Sequence, residues 1–329
     1  MIPRQPNPWH GVYPSTVLPM RPDFSPDWEV YAAHTAACGL YPGMAGVLCN
    51  GHAGENFVLS PEEKRRAVAE TVAAVGRERI VVAGVNQEAS AAAAREAADA
   101  LEAGADAIMV FAPNGFALSG EPGLAERHHR LIAAAVPGVK LFLFQGSHAT
   151  RMAYAPEALD RLLDLPAVVG IKEGGWEVNH YDSLLRQVRA RRPDVAVMAS
   201  GDEHLLACMA HGSDGSMVSL ADLVPGEILA LDAAMRRSDL AAARSVHARI
   251  EPLADAIYGR PPGGRATARL KWCLAALGRI PCPAVRPPVG PVEAAEAAML
   301  RRALEGVMGD GWAGEEAPKR GDVPGGGKP

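Results

Sequence analysis

Eight short apolar runs, each followed by a longer amphipathic stretch, constrain this chain more than any other feature of its sequence. They lie at 12–18 (VYPSTVL), 45–49 (AGVLC), 79–85 (RIVVAGV), 107–111 (AIMVF), 139–144 (VKLFLF), 167–171 (AVVGI), 195–199 (VAVMA) and 215–219 (GSMVS). Runs that are apolar throughout, rather than alternating, suit strands buried on both faces, as in a parallel sheet covered by helices. The stretches between them read as those helices. SPEEKRRAVAETVAAV (60–75) opens with Ser60 as a cap, Pro61 at the first helical position and early glutamates, and the alanine-rich 89–104 segment closes on Gly104. Eight such units favour closure into a barrel over an open doubly wound sheet. No GxGxxG follows the first run, so a dinucleotide-binding sheet has no support.

The expected architecture is therefore α/β: a (β/α)8 TIM barrel over residues 1–236 with a C-terminal helical appendage. Past residue 237 the strand signal fades and helical patterns remain at 239–257, 265–277 and 292–307, giving an extension over 237–308. Residues 309–329, rich in Gly, Pro and charge, are expected to be a disordered tail. A chain of 329 residues fits a barrel plus an appendage, and 48% hydrophobic residues suffice for its core.

A formal net charge of −5 offers no general attraction for phosphate backbones, and no basic run is long enough to track them, so nucleic acid is not an expected partner. The N-terminus lacks the apolar stretch of a signal peptide, and no segment has about 20 consecutive apolar residues. The expectation is a cytoplasmic protein without membrane contact. Cys38, Cys49, Cys208, Cys273 and Cys282 are scattered without CxxC spacing, which favours buried free thiols over disulfides or a metal site.

A barrel carries its chemistry at the C-terminal ends of its strands. Lys172 directly follows the sixth run. Its ammonium either faces the barrel mouth, where burial lowers its pKa and frees an amine able to attack a ketone, or leaves the strand to pair with Glu173 in solvent.

GIKEGG (170–175) resembles the segment around the Schiff-base lysine of the dihydrodipicolinate synthase and N-acetylneuraminate lyase family. Four further stretches match in order: GHAGE (51–55) is similar to that family's GTTGE loop, LSPEEK (59–64) follows it, SGDE (200–203) resembles the segment after strand seven, and LGRIPCPAVRPPVGP (277–291) resembles a C-terminal stretch. The resemblance runs from about residue 11 to 307. It implies a barrel, a Schiff base on Lys172, and a loop whose backbone at Gly51, Ala53 and Gly54 receives the carboxylate of pyruvate or a related 2-oxo acid. Glu55 either orients that loop from behind or lies in solvent. No metal or organic cofactor is implied, and the family's habit is the homotetramer or homodimer.

The chain departs from the family pattern in its proton relay. Phe144 stands where the family has a tyrosine, and Gln145 stands at the neighbouring asparagine. His52 and Ala53 replace two threonines; Pro113, Asn114 and Gly115 replace a tyrosine pair; Ala149 replaces the arginine that serves a dicarboxylate aldehyde. A phenyl ring moves no proton. His52 is the first candidate to take over the relay and His148 the second, because imidazole titrates near neutrality; each is otherwise an ordinary loop histidine. Gln145 could orient a substrate oxygen without acting as acid or base. The expected function is a Schiff-base lyase or aldolase acting on a 2-oxo acid and an aldehyde, and not a true dihydrodipicolinate synthase. The alternatives are dehydration of a 2-keto-3-deoxy sugar acid through the same imine, and a non-catalytic binding protein.

Overall fold

The computed structural model describes residues 7–119, 121, 123–175 and 177–309. All eight expected strands occur: β1 (Gly11–Pro14), β2 (Gly46–Cys49), β3 (Ile80–Val85), β4 (Ala107–Val110), β5 (Leu141–Gln145), β6 (Val168–Glu173), β7 (Ala196–Ala199) and β8 (Gly215–Val218). They form one parallel sheet in the order β1-β8-β7-β6-β5-β4-β3-β2. Parallel bridges from Val12 to Met44 and from Ser15 to Leu48 join its two edges and close the barrel.

The helices that cover it are α1 (Trp28–Gly39), α2 (Pro61–Val75), α3 (Ser90–Glu102), the short α4 (Asn114–Ser119) with α5 (Leu124–Ala135), α6 (Pro156–Leu163), α7 (Val178–Arg191), α8 (Leu205–His211) and α9 (Pro225–Arg236). The start of α2 is capped as its sequence suggests. Ser60 Oγ accepts the Glu63 N–H at 3.2 Å, and the Glu63 carboxylate accepts the Ser60 N–H at 2.8 Å. Three further helices, α10 (Leu240–Ala254), α11 (Ala266–Ala276) and α12 (Ala294–Met308), make up the appendage, with a π-helical turn over Asp255–Gly259 after α10. Leu253, Leu270 and Leu304 of these helices share one apolar core with Leu223 and Ile228 beside the barrel. Residues 310–329, where the tail was expected, lie outside the described residues.

A second apolar cluster fills the barrel itself, with Tyr13, Met109, Phe142, Met198 and Met217 at its centre. Alternation along each strand divides side chains between this interior and the helical layer. In β6 that alternation is broken. Leu141 pairs with Val168, but Phe142 pairs with Gly170, so Val169 is an extra residue. The slip sends Gly170 and Lys172 inward and Ile171 and Glu173 outward. Gly170 is required there, because a Cβ at this position would lie 2.1 Å from the Phe142 ring. The five cysteines are buried free thiols, as expected. Among the described residues no helix is long and apolar enough to cross a membrane.

Candidate active site

Lys172 is 8% exposed and lies beside Phe144 across the β5–β6 pair, with its Nζ 5.9 Å from the centre of the phenyl ring. Burial lowers its pKa, and the charge of Asp202 opposes that shift. Asp202 follows β7, is buried, and accepts the Leu220 N–H at 2.6 Å. Burial raises its carboxyl while the Lys172 charge works against the rise. Each group thus restrains the other's loss of charge. The lowering favours the free amine, the form a carbonyl requires.

Glu173 does not form the alternative solvent pair with Lys172. It faces the helical layer, 2% exposed, where its Oε1 accepts the Gly175 N–H at 3.0 Å. Burial pushes its carboxyl up to about 7.

One wall of the site is aromatic. The His52 ring stacks on Phe111 at 4.3 Å, meets Phe57 at 4.7 Å and turns its edge to Phe144 at 5.2 Å; Phe111 and Phe144 are 4.7 Å apart. His52 keeps an accessible face although its ring is hemmed in by this cluster. Desolvation against the aromatic cluster and the neighbouring Lys172 charge both act to lower its pKa. The near-neutral titration expected of it is displaced downward.

The loop after β2 is a succession of tight turns in which Gly54 and Asn56 N–H groups donate to Gly51 O and the Glu55 N–H donates to His52 O. Among the described residues, the N–H groups of His52 and Ala53 have no hydrogen-bond partner in these turns. Ala53 thus keeps its N–H uncommitted within these turns, whereas the N–H of Gly54 is already committed. Gly51 has no room for a side chain, since a Cβ would sit 2.8 Å from Ser15 Oγ. Glu55 is buried and bonded to Lys271 Nζ and to the Arg286 N–H, which resolves its role in favour of holding the loop from behind.

Two expected site residues lie elsewhere. Gln145 shares the outward face of β5 with Leu141 and Leu143, and its Oε1 accepts the Tyr154 N–H at 3.1 Å. It anchors the following loop instead of facing the barrel mouth, because the inward places on β5 belong to Phe142 and Phe144. His148 is exposed and stacks on His180 at 3.8 Å, away from the aromatic wall. Asn114 and Gly115 donate to the Glu88 carboxylate, which caps α4. Sequence reading missed Phe111, Asp202 and Tyr258. The first two stand at strand ends, where they could have been found: Phe111 closes the fourth run and Asp202 sits within SGDE. Tyr258 comes from the π-helical turn and donates from its hydroxyl to Ser219 Oγ at 3.0 Å, next to Asp202's partner Leu220. No local pattern signals that approach.

A closed parallel barrel with Lys172 at the carboxyl end of β6 and Asp202 just after β7 is a (β/α)8 barrel. The Dihydrodipicolinate synthetase family model matches residues 10–307, and the chain belongs to that family, whose members are class I lyases. A 4-hydroxy-tetrahydrodipicolinate synthase from Salinibacter ruber is 32% identical over 254 residues, 76% of this chain and 81% of the relative. The corresponding protein of Neisseria gonorrhoeae is 30% identical over 266 residues, 80% of this chain and 87% of the relative. Among solved structures, the fold matches a dihydrodipicolinate synthase from Thermotoga maritima with a TM-score of 0.82 at 22% identity, over 91% of this chain and 98% of that one. It also matches a chloride-inhibited dihydrodipicolinate synthase from Acinetobacter baumannii complexed with pyruvate, with a TM-score of 0.79 at 24% identity, over 91% and 98%. A monomeric dihydrodipicolinate synthase variant matches with a TM-score of 0.81 at 22% identity, over 91% and 97%.

Proposed function

We propose that this protein is a lyase or aldolase that forms a Schiff base between Lys172 and pyruvate or a related 2-oxo acid. The observation that carries this reading is the inward, buried placement of Lys172, with its pKa lowered, in a family of class I lyases. The free amine adds to the C2 carbonyl, and loss of one water leaves the imine. The Ala53 N–H receives the carboxylate in the tight loop. The imine then withdraws electrons from C3 as a proton or a carbon–carbon bond at that carbon is released.

The same reading sets this chain apart from true dihydrodipicolinate synthases. Phe144 holds the position of a tyrosine and supplies no proton, and Ala149 supplies no cation for a dicarboxylate aldehyde. The wall of Phe111, Phe144 and His52 suits an uncharged or aromatic second substrate better. His52 is the member of this wall whose ring nitrogens can exchange a proton, and we assign it the proton transfer. Dehydration of a 2-keto-3-deoxy acid on the same imine is the nearest variant. We place the protein in the cytoplasm as a homo-oligomer.

Incubation with pyruvate and borohydride tests this reading, with peptide mass mapping to locate the adduct, followed by turnover of the trapped-competent enzyme against a panel of aldehydes and deoxy acids. An adduct on Lys172 supports it. No adduct at saturating 2-oxo acids, or an adduct on another lysine, ends it, and imine formation without any turnover points to a binding protein.

A further inference from the structure

On the outside of the barrel, a cavity of about 740 Å³ opens between α1, the start of α9 and the segment after α11. Its walls include Val30, Ala37, Ala275 and Ile280. Three buried side chains lie in its lining: His34 and Cys38 from α1 and Asp222 from the turn after β8. We propose that these three residues bind a divalent cation of the zinc type, leaving one coordination position open to the cavity.

The donor set is the first argument. An imidazole nitrogen, a thiol sulfur and a carboxylate oxygen are the ligands that select zinc over magnesium or calcium, and three protein ligands with an open fourth position describe a reactive or ligand-binding site. Geometry is the second. His34 and Cys38 are four residues apart and share one helix face. His34 Nε2 lies 3.3 Å from Asp222 Oδ2 and 3.8 Å from Cys38 Sγ, and one ligand atom from each residue falls within 4.8 Å of the other two. Metal bonds of about 2.0–2.3 Å place tetrahedral ligands roughly 3.3–3.7 Å apart. The cluster therefore closes on a cation by movements of about an ångström.

An independent sign comes from Asp222. Its side chain is fully buried, and Oδ2 accepts the Val17 N–H at 3.1 Å and meets His34, but Oδ1 has no hydrogen-bond partner among the described residues. Buried polar atoms are rarely left so, and an absent ion is one of the standard causes. Arg279, on the cavity rim, lends its charge to the Asp222 carboxylate but gives Oδ1 no hydrogen bond. Its Nη1 donates to the main-chain carbonyls of Asp222 and Leu223, at 2.8 and 2.7 Å. On binding, the Cys38 thiol gives its proton to solvent and the thiolate and carboxylate balance the double charge, with water completing the fourth position.

Cobalt(II) is the probe, titrated into the full-length protein with its thiols reduced. The expected result is saturation at about one equivalent with a thiolate-to-cobalt charge-transfer band in the near ultraviolet, bleached by zinc. Cys38→Ser should remove the band, and His34→Gln should weaken cobalt binding at least about tenfold, while both variants still form the borohydride adduct at Lys172, which reports an intact barrel. A wild-type protein with no charge-transfer band at excess cobalt overturns the proposal, as does a band that survives in Cys38→Ser. Should Cys38→Ser fail to fold, anomalous scattering from zinc-soaked wild-type crystals decides: density bonded to the three side chains supports the site, and zinc located only elsewhere overturns it.

Discussion

Glu55, in the loop after β2, and Lys271, in α11, form an ion pair buried between that loop and the helical appendage. Lys271 also donates to Ala284 O at 3.0 Å, and the second oxygen of Glu55 accepts the Arg286 N–H at 2.8 Å. Thr267 Oγ1 reaches His52 O at 3.3 Å. The appendage thus holds from outside the loop whose inner side faces the barrel mouth. Lys271→Met leaves the Glu55 carboxylate buried without its cation and should cost about 3–5 kcal/mol of stability in urea denaturation. The double variant Lys271→Met, Glu55→Gln should recover most of that. A single variant as stable as the wild type would show that the pair contributes nothing.

Lys172 supplies the only nitrogen that the proposed imine uses. Lys172→Arg should abolish adduct formation with 2-oxo acids and borohydride while leaving the circular dichroism spectrum unchanged, since guanidinium keeps the charge but not the nucleophile. Persistent labelling in this variant would place the chemistry elsewhere.

For His52, proton transfer to or from the reacting carbon is the proposed work, and general acid–base assistance is worth about 10²- to 10⁴-fold. His52→Ala should lower turnover by at least about 10²-fold and leave trapping at Lys172 detectable. His52→Asn should be nearly as damaging. Because desolvation and Lys172 lower the imidazole pKa, its ionisation should appear in the pH–rate profile below the usual histidine range and vanish in either variant. Full turnover in His52→Ala would remove the role.

The outward carboxyl of Glu173 gives a separate pH test. Its pKa is raised from 4.5 to about 7 by burial, so the folded chain holds this proton more tightly than the unfolded chain. Any stability linked to it is present below about pH 4.5 and is lost as pH rises through about 7, amounting to roughly 3 kcal/mol by pH 8. Glu173→Gln keeps an acceptor for the Gly175 N–H without the charge. The variant should melt higher than wild type at pH 8 and close to it at pH 5; equal melting temperatures at both pH values would contradict a protonated, buried Glu173.

The strands and their covering helices were legible because both depend on local periodicity and on caps such as Ser60 and Glu63, a few residues apart. The first run was read too long: β1 ends at Pro14, and Ser15 and Thr16 bond singly to Val218 O and Leu48 O, outside a regular ladder. Lys172 was singled out by its place after the sixth run together with the GIKEGG resemblance, and Phe144 by the resemblance alone; the structure places both on inward positions of β6 and β5. Gln145 was not, because facing inward or outward turns on a single residue of register.

By itself the sequence determined the alternation of eight apolar runs with amphipathic helices and the lysine after the sixth run. Tertiary structure decided where those groups point and what they meet. The extra residue Val169 is one of two adjacent valines, and nothing local says which is the bulge; pairing with β5 fixes it and so turns Lys172 inward. Glu55 meets Lys271, and His34 meets Asp222, across 216 and 188 residues of chain. Such contacts follow from barrel closure and the docking of helices on it, which bring together residues that neither periodicity nor propensity relates.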